Sequence, residues 1–140
     1  GGHAYHATMP TDALTRTRDM MRETERFGFE RARTAQAELG TKVRAMLARY
    51  GIASVAAEGF EAPGVVVCYT DDRDVHTGKK FIDQGLQTAA GVPLQCDEGA
   101  DFQTFRVGLF GLDKLGNVNR TVANLERAVA EIAAPVLEQR

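Results

Sequence analysis

Arg106 is the residue whose type and position best suit ligand chemistry. Residues 104–110 alternate in a way that predicts a strand, so Arg106 shares one face with Thr104 and Gly108. These small neighbours would leave a notch around the guanidinium, whose planar fork of donors suits a carboxylate or a phosphate. The same spacing fits an ordinary arginine on the wet face of an edge strand, which is the commoner case. Spacing alone therefore leaves both interpretations open.

A second group of polar side chains precedes the first predicted helix. Tyr5, His6 and Thr8 stand here. Pro10 and Asp12 follow, a proline and an acidic residue that are typical of a helix start. Backbone N–H groups at a helix start can bind an anion. Thr8 can equally be a capping residue in an ordinary loop, and from these residues alone that is the better interpretation.

The remaining polar residues favour structural roles. His76 falls in a predicted helix and is expected to face solvent, as is the Lys79–Lys80 pair. The acidic residues of the 71–74 segment lack the alternation of a calcium-binding loop, so we expect them to cap the helix that follows. No metal site is predicted.

The composition is that of an ordinary single domain. The chain has 140 residues, 44% of them hydrophobic and 26% charged, with a formal net charge of -2. Without a basic excess, no nucleic-acid or membrane partner is indicated. No apolar run reaches the length of a membrane span, and no signal-peptide pattern is present. Two lone cysteines, Cys68 and Cys96, read as reduced thiols, so we expect a cytoplasmic protein.

Hydrophobic periodicity predicts the elements that must position these residues. We expect helices at residues 11–25, 29–50, 74–86 and 115–137, and strands at residues 52–57, 65–69 and 102–110. The continuous apolar run at 65–69 suggests a central strand, and Gly40 suggests a bend in the second helix. Residues 87–99 leave room for one short strand at most. The order predicts an α+β two-layer sandwich, with a small, mostly antiparallel sheet of about three strands covered by helices. The first helix is a candidate for packing on another domain or subunit.

Two motifs resemble one enzyme family. The segment Tyr5-His6-Ala7-Thr8-Met9-Pro10 is similar to the Tyr-His-x-Thr-x-Pro segment of the alanine–glyoxylate and serine–glyoxylate aminotransferases, the class V branch of the fold-type-I pyridoxal-phosphate enzymes. Residues 105–111, Phe-Arg-Val-Gly-Leu-Phe-Gly, resemble the Phe-Arg-Ile-Gly-Leu-x-Gly strand near that family's C-terminus. The resemblance covers essentially the whole chain, and the two motifs in order are more specific than either alone.

The resemblance assigns roles to individual residues. Arg106 matches the arginine that binds the α-carboxylate of the amino acid or oxo acid. Tyr5 and Thr8 match residues that reach across a homodimer interface to the phosphate of pyridoxal 5'-phosphate in the neighbouring subunit. His6 receives no definite role, and the 87–92 loop falls where the family's loop approaches the active site.

The resemblance also implies that part of the active site lies elsewhere. The family's Schiff-base lysine and the aspartate that pairs with the pyridine nitrogen precede the Tyr-His-x-Thr segment, and none of Lys42, Lys79, Lys80 or Lys114 matches that lysine. We therefore expect residues 1–25 to lead from a large cofactor domain and residues 26–140 to form the small C-terminal domain. Alone, this fragment is expected to be inactive.

The implied reaction moves an amino group from a small donor, alanine or serine, to an oxo acid, glyoxylate or pyruvate. Two alternatives stay open. A related class V enzyme, such as an aminophosphonate aminotransferase, would keep the scaffold and change the substrate. A non-enzymatic α+β module would bind an amino acid through Arg106 without turnover.

Overall fold

The structure, a computed structural model, describes residues 8–137. The elements run in the order α1 (Thr11–Phe27), α2 (Phe29–Arg49), β1 (Val65–Tyr69), α3 (Arg73–His76), α4 (Lys79–Asp83), β2 (Ala89–Ala90), β3 (Thr104–Gly108), α5 (Leu112–Leu115) and α6 (Val118–Leu137). The fold is α+β: three antiparallel strands in the order β1-β3-β2, with helices packed against one face. The predicted fold class is confirmed.

The core lies between the sheet and the long helices α2 and α6. Alternate side chains of β1 and β3, Val66, Cys68, Phe105 and Val107, are buried on the helical face of the sheet. They meet apolar stripes of α2 and α6 that recur at helical spacing, namely Leu39, Val43, Met46, Leu47, Leu125 and Val129. Arg106 is therefore on the opposite face of β3, because successive side chains of a strand point to opposite faces.

The prediction of a central β1 is wrong. β3 pairs with β1 on one side and with β2 on the other, so β3 is the central strand. The predicted strand at 52–57 is also wrong, since only Ser54 forms an isolated bridge, to Cys68. The segment makes two backbone hydrogen bonds to β1, through Ala53 and Val55, before the chain turns away. A short partner of this kind shields β1 without forming a fourth strand.

Two predicted helices are each divided. The helix expected at 74–86 splits into α3 and α4 at Gly78, whose φ of 81° belongs to the left-handed region. The last helix is preceded by the separate turn α5, and α6 begins only at Val118. The cap expected from the acidic segment is confirmed, because the Asp72 carboxylate accepts hydrogen bonds from the N–H groups of Asp74 and Val75.

Gly40 is explained by a close approach of the chain. α2 runs through this position without interruption. A Cβ there would lie 2.7 Å from the Pro63 carbonyl oxygen. One turn away on either side, Gln36 donates to the same carbonyl at 3.0 Å, and Arg44 donates to the Ala62 carbonyl at 2.7 Å. This face of α2 therefore fixes the loop that leads into β1.

The helix α1 differs from the others because none of its residues is buried. It packs against α2, from which it is separated by Gly28 at φ 97°. Leu14, Met20 and Met21 are more than half exposed on its surface. Within the described part of the chain, no helix is both long and apolar enough to cross a membrane.

Candidate functional site

Arg106 occupies the middle of the sheet. On β3 it is flanked by Val67 of β1 and by Ala89 of β2. Its Nε donates a hydrogen bond of 2.9 Å to the Ala90 carbonyl oxygen, which draws the guanidinium over β2. Among the described residues no hydrogen bond or ion pair involves its two terminal nitrogens. The geometry therefore leaves the outer, two-pronged edge of a partly exposed guanidinium available to an anion.

The predicted notch around Arg106 is asymmetric. Gly108, on one side, is exposed. Thr104, on the other, is only 1% exposed, because the chain at Gly91 folds over it. The Gly91 N–H donates to the Thr104 carbonyl oxygen at 2.9 Å and extends the β2–β3 ladder by one bond. Access to the guanidinium along this face is thus open toward Gly108 and closed toward Thr104.

Of the other residues predicted for the site, Thr8 is the one that lies among the described residues. Tyr5 and His6 lie outside the described residues. Thr8 is exposed and is separated from the start of α1 by Met9 and Pro10. The strand partners of Arg106 are Val67 of β1 and Ala89 of β2. In the predicted roles, Thr8 and Arg106 belong to the sites of different subunits.

His76 was expected to face solvent, and that prediction is wrong. Its ring is partly buried, and Nδ1 lies 2.7 Å from the Thr104 carbonyl oxygen. Since a carbonyl only accepts, Nδ1 must carry the hydrogen, and in the neutral ring Nε2 is then an acceptor. The partner is 28 residues away in sequence, so no local pattern could have revealed the contact. One carbonyl thereby joins α3, β3 and the end of β2.

A groove of about 650 Å³ opens beside His76. Its walls are formed by Thr104, Phe102 and the loop that begins at Gly91. Two acidic residues, Asp97 and Glu98, also line it. The groove starts one residue beyond Ala90, the hydrogen-bond partner of Arg106. The loop that shapes the groove belongs to residues 87–99, for which the sequence predicted one short strand at most.

Glu98 organises that loop. Its carboxylate accepts hydrogen bonds from the backbone N–H groups of Leu94, Gln95 and Cys96. These bonds, first among them the one from Cys96, lower the pKa of Glu98 to about 2. The same carboxylate raises the pKa of the exposed Cys96 thiol. Gln95 and Asp97 take positive φ values of 59° and 62° inside the turn, a conformation that these bonds must stabilise.

Acid is therefore expected to open the loop. A depressed pKa means that the carboxylate favours the ordered loop, so this stabilisation is complete above the ordinary glutamate pKa of 4.5 and is lost as the pH falls toward about 2. The amide NMR shifts of Leu94, Gln95 and Cys96 should titrate together in this window. Glu98→Gln should show acid-like shifts at neutral pH, and shifts that do not change with pH would contradict the role of Glu98.

The cysteines show no sign of chemistry. Both are free thiols; Cys68 is buried and Cys96 is exposed. Burial raises the pKa of the Cys68 thiol to about 11, so at neutral pH it is an apolar core side chain, as expected. Among the described residues, no group of three or more histidine, cysteine, aspartate or glutamate side chains is placed to hold a metal ion.

Comparison with known proteins leaves the family undetermined. No protein-family model matches the chain, and no curated protein matches it.

Proposed function

We propose that this chain is the C-terminal small domain of a class V pyridoxal-phosphate-dependent aminotransferase that acts on alanine or serine with glyoxylate or pyruvate, as a cytoplasmic homodimer. The observation that carries the proposal is the position of Arg106. It lies on the central strand, on the face away from the helices, and its Nε is bonded to Ala90 while its outer edge has no partner among the described residues.

The Nε bond matters because it orients the guanidinium. The long, flexible side chain of an arginine loses much rotamer freedom when it binds a ligand. The bond to Ala90 fixes the plane of the fork before the ligand arrives, so less entropy is lost on binding. In the proposed reaction the carboxylate grip then sets the position of the substrate's α-carbon. The role of Arg106 is thus to position the substrate.

The four lysines of the chain support the assignment of the Schiff-base lysine to another segment. Each of their ammonium groups already pairs with a carboxylate of this chain: Lys42 with Glu38, Lys79 with Asp74, Lys80 with Asp72, and Lys114 with Asp113 at 3.6 Å. None of the four lysines lies on β1 or β2, the two strands that flank Arg106.

Thr8 is the described residue that we assign to the cofactor phosphate. Pyridoxal phosphate would supply an electron sink for the pair left on the substrate's α-carbon. Thr8 lies close to the start of α1, whose N-cap residue Pro10 makes no side-chain capping bond, and backbone N–H groups at a helix start suit a phosphate. The carboxylate of Asp12, in that turn, would repel an anion. The residues present here therefore fit the phosphate together with further hydrogen-bond donors, and the resemblance adds Tyr5 as one of these.

The test is transamination by the whole gene product. We expect the full-length protein to convert at least one of the four donor–acceptor pairs, alanine or serine with glyoxylate or pyruvate, in a pyridoxal-phosphate-dependent assay. The 140-residue chain, assayed alone as the control, should show no turnover. Saturable amino-acid binding without any turnover would favour the non-enzymatic module. Turnover of aminophosphonates in place of the four pairs would favour the related class V enzyme.

A further inference from the structure

A second cavity lies on the opposite face of β3 from Arg106. It has a volume of about 240 Å³ and opens between the end of β3, the segment that leads into β2, and the start of α6. Val107, the next residue after Arg106, forms part of its wall. Because successive strand residues face opposite ways, this cavity is separated from the Arg106 face by the sheet itself.

The floor of the cavity is apolar. Val107, Leu109 and Leu125 line it and are all less than 10% exposed, and Leu86 adds a half-buried side chain at the edge. Since a water molecule occupies about 30 Å³ in the liquid, the space holds about eight water-sized groups. An apolar floor binds few of those waters well, so an apolar ligand of similar size would displace them favourably.

Two cationic residues, Lys114 and Arg120, and one acidic residue, Asp113, line the mouth of the cavity, which leaves an excess of positive charge. The Nζ of Lys114 lies 3.6 Å from the Asp113 carboxylate, which is too long for a hydrogen bond. The Nη2 of Arg120 reaches only the Asp113 carbonyl oxygen, at 3.5 Å. By contrast, Lys79 lies 3.2 Å from the carboxylate of Asp74. Among the described residues, Lys114 and Arg120 have no closer acidic partner.

We propose that this cavity binds a small amphipathic carboxylate, such as a fatty acid of about four to six carbons. The hydrocarbon lies against Val107, Leu109 and Leu125, and the carboxylate lies between Lys114 and Arg120. An apolar tail alone would not need the cations, and an inorganic anion would not fill the floor, so the two features together select an amphipathic anion. This site is independent of the function proposed for Arg106.

The site is tested by NMR titration of the ¹⁵N-labelled 140-residue chain with hexanoate. Saturable shifts are expected at the amides of Leu86, Val107 and Leu125. Hexylamine, which has the same tail and the opposite charge, and acetate, which lacks the tail, should leave these amides unmoved at the same concentration. Equal shifts with hexanoate and hexylamine would overturn the proposal.

Variants separate this cavity from the Arg106 face. The double variant Lys114→Gln, Arg120→Gln should weaken hexanoate binding about tenfold or more. The matched double variant Lys79→Gln, Arg33→Gln, which removes two exposed cations elsewhere, should leave the affinity unchanged. Leu125→Phe should reduce binding by filling the floor, and its amide spectrum reports whether the fold is kept.

Arg106→Gln distinguishes the two sites. If hexanoate occupies the cavity, Arg106→Gln leaves its affinity unchanged, whatever the outcome of the transamination assay. If Arg106→Gln abolishes hexanoate binding while the Lys114 and Arg120 variant retains it, the carboxylate binds at Arg106. The second site would then be refuted, and the role proposed for Arg106 would gain support.

Discussion

Replacing Arg106 with glutamine is expected to raise the free-energy barrier measured by kcat/KM of the proposed full-length aminotransferase, for α-carboxylate substrates, by about 2–5 kcal/mol, with an increase in KM. Glutamine keeps much of the side chain's length but removes the charge and the two-pronged edge. In the assembled site, the substrate carboxylate would then be covered without its cationic partner, and an unpaired charge away from water is costly.

The same substitution should hardly change the stability of the domain. The guanidinium makes one hydrogen bond among the described residues, to the carbonyl of the exposed Ala90, and water can replace it there. We expect the free energy of unfolding to stay within about 0.5 kcal/mol of the original. Arg106→Lys is the matched control: it keeps the charge and loses the fork, so its kcat/KM should fall by less. Unchanged kinetics in Arg106→Gln would remove this residue from the site.

Replacing Gly91 with alanine is expected to destabilise the domain by about 1–3 kcal/mol. A Cβ at this position would lie 2.7 Å from the Thr104 carbonyl carbon and closer still to the two Thr104 oxygens. Thr104 cannot move aside easily, because it is buried and its carbonyl oxygen accepts hydrogen bonds from both the Gly91 N–H and His76. The chain at Gly91 must therefore move away from β3, and those bonds must weaken.

Urea unfolding of the 140-residue chain measures the effect. Gly99→Ala is the matched control, because it lies in the same loop and a Cβ there meets nothing within 4 Å. Its midpoint should change little or rise slightly, since alanine restricts the unfolded chain. Equal midpoints for Gly91→Ala and Gly99→Ala would show that the loop does not pack on Thr104 as described. In the proposed full-length enzyme, Gly91→Ala should also lower kcat/KM, because the neighbouring Ala90 carbonyl accepts the hydrogen bond that orients Arg106.

The parts of the fold that follow from periodicity could be predicted. α1, α2 and β3 were expected within a few residues of their observed bounds, since each depends on a local apolar pattern or on a local start signal such as Pro10 and Asp12. The errors at β1 and at residues 52–57 have a different origin. An apolar, β-branched run indicates a buried strand, but which strand becomes central is decided by pairing with residues that are distant in sequence.

The site was predictable only in part, for the same reason. Strand alternation correctly put Arg106 on the face opposite Phe105 and Val107. The closed side of its notch depends on Gly91 crossing over Thr104, and the orientation of His76 depends on a carbonyl of another element. Neither contact leaves a pattern in the local sequence. The sequence around His76 predicts a helix, but it does not indicate whether the imidazole faces water or a carbonyl.

The hydrogen bond from Arg106 to Ala90 affects how readily copies of this protein can associate through the edges of their sheets. A small sheet risks adding strands from other molecules wherever its outer edge offers open backbone groups. At the β1 edge, Ala53 and Val55 already bond to the backbone. At the other edge β2 has only two residues, Pro93 follows closely, and the Ala90 carbonyl is already an acceptor for Arg106. The side chain proposed to position the substrate thus also engages an edge carbonyl that a strand of another molecule would otherwise bind.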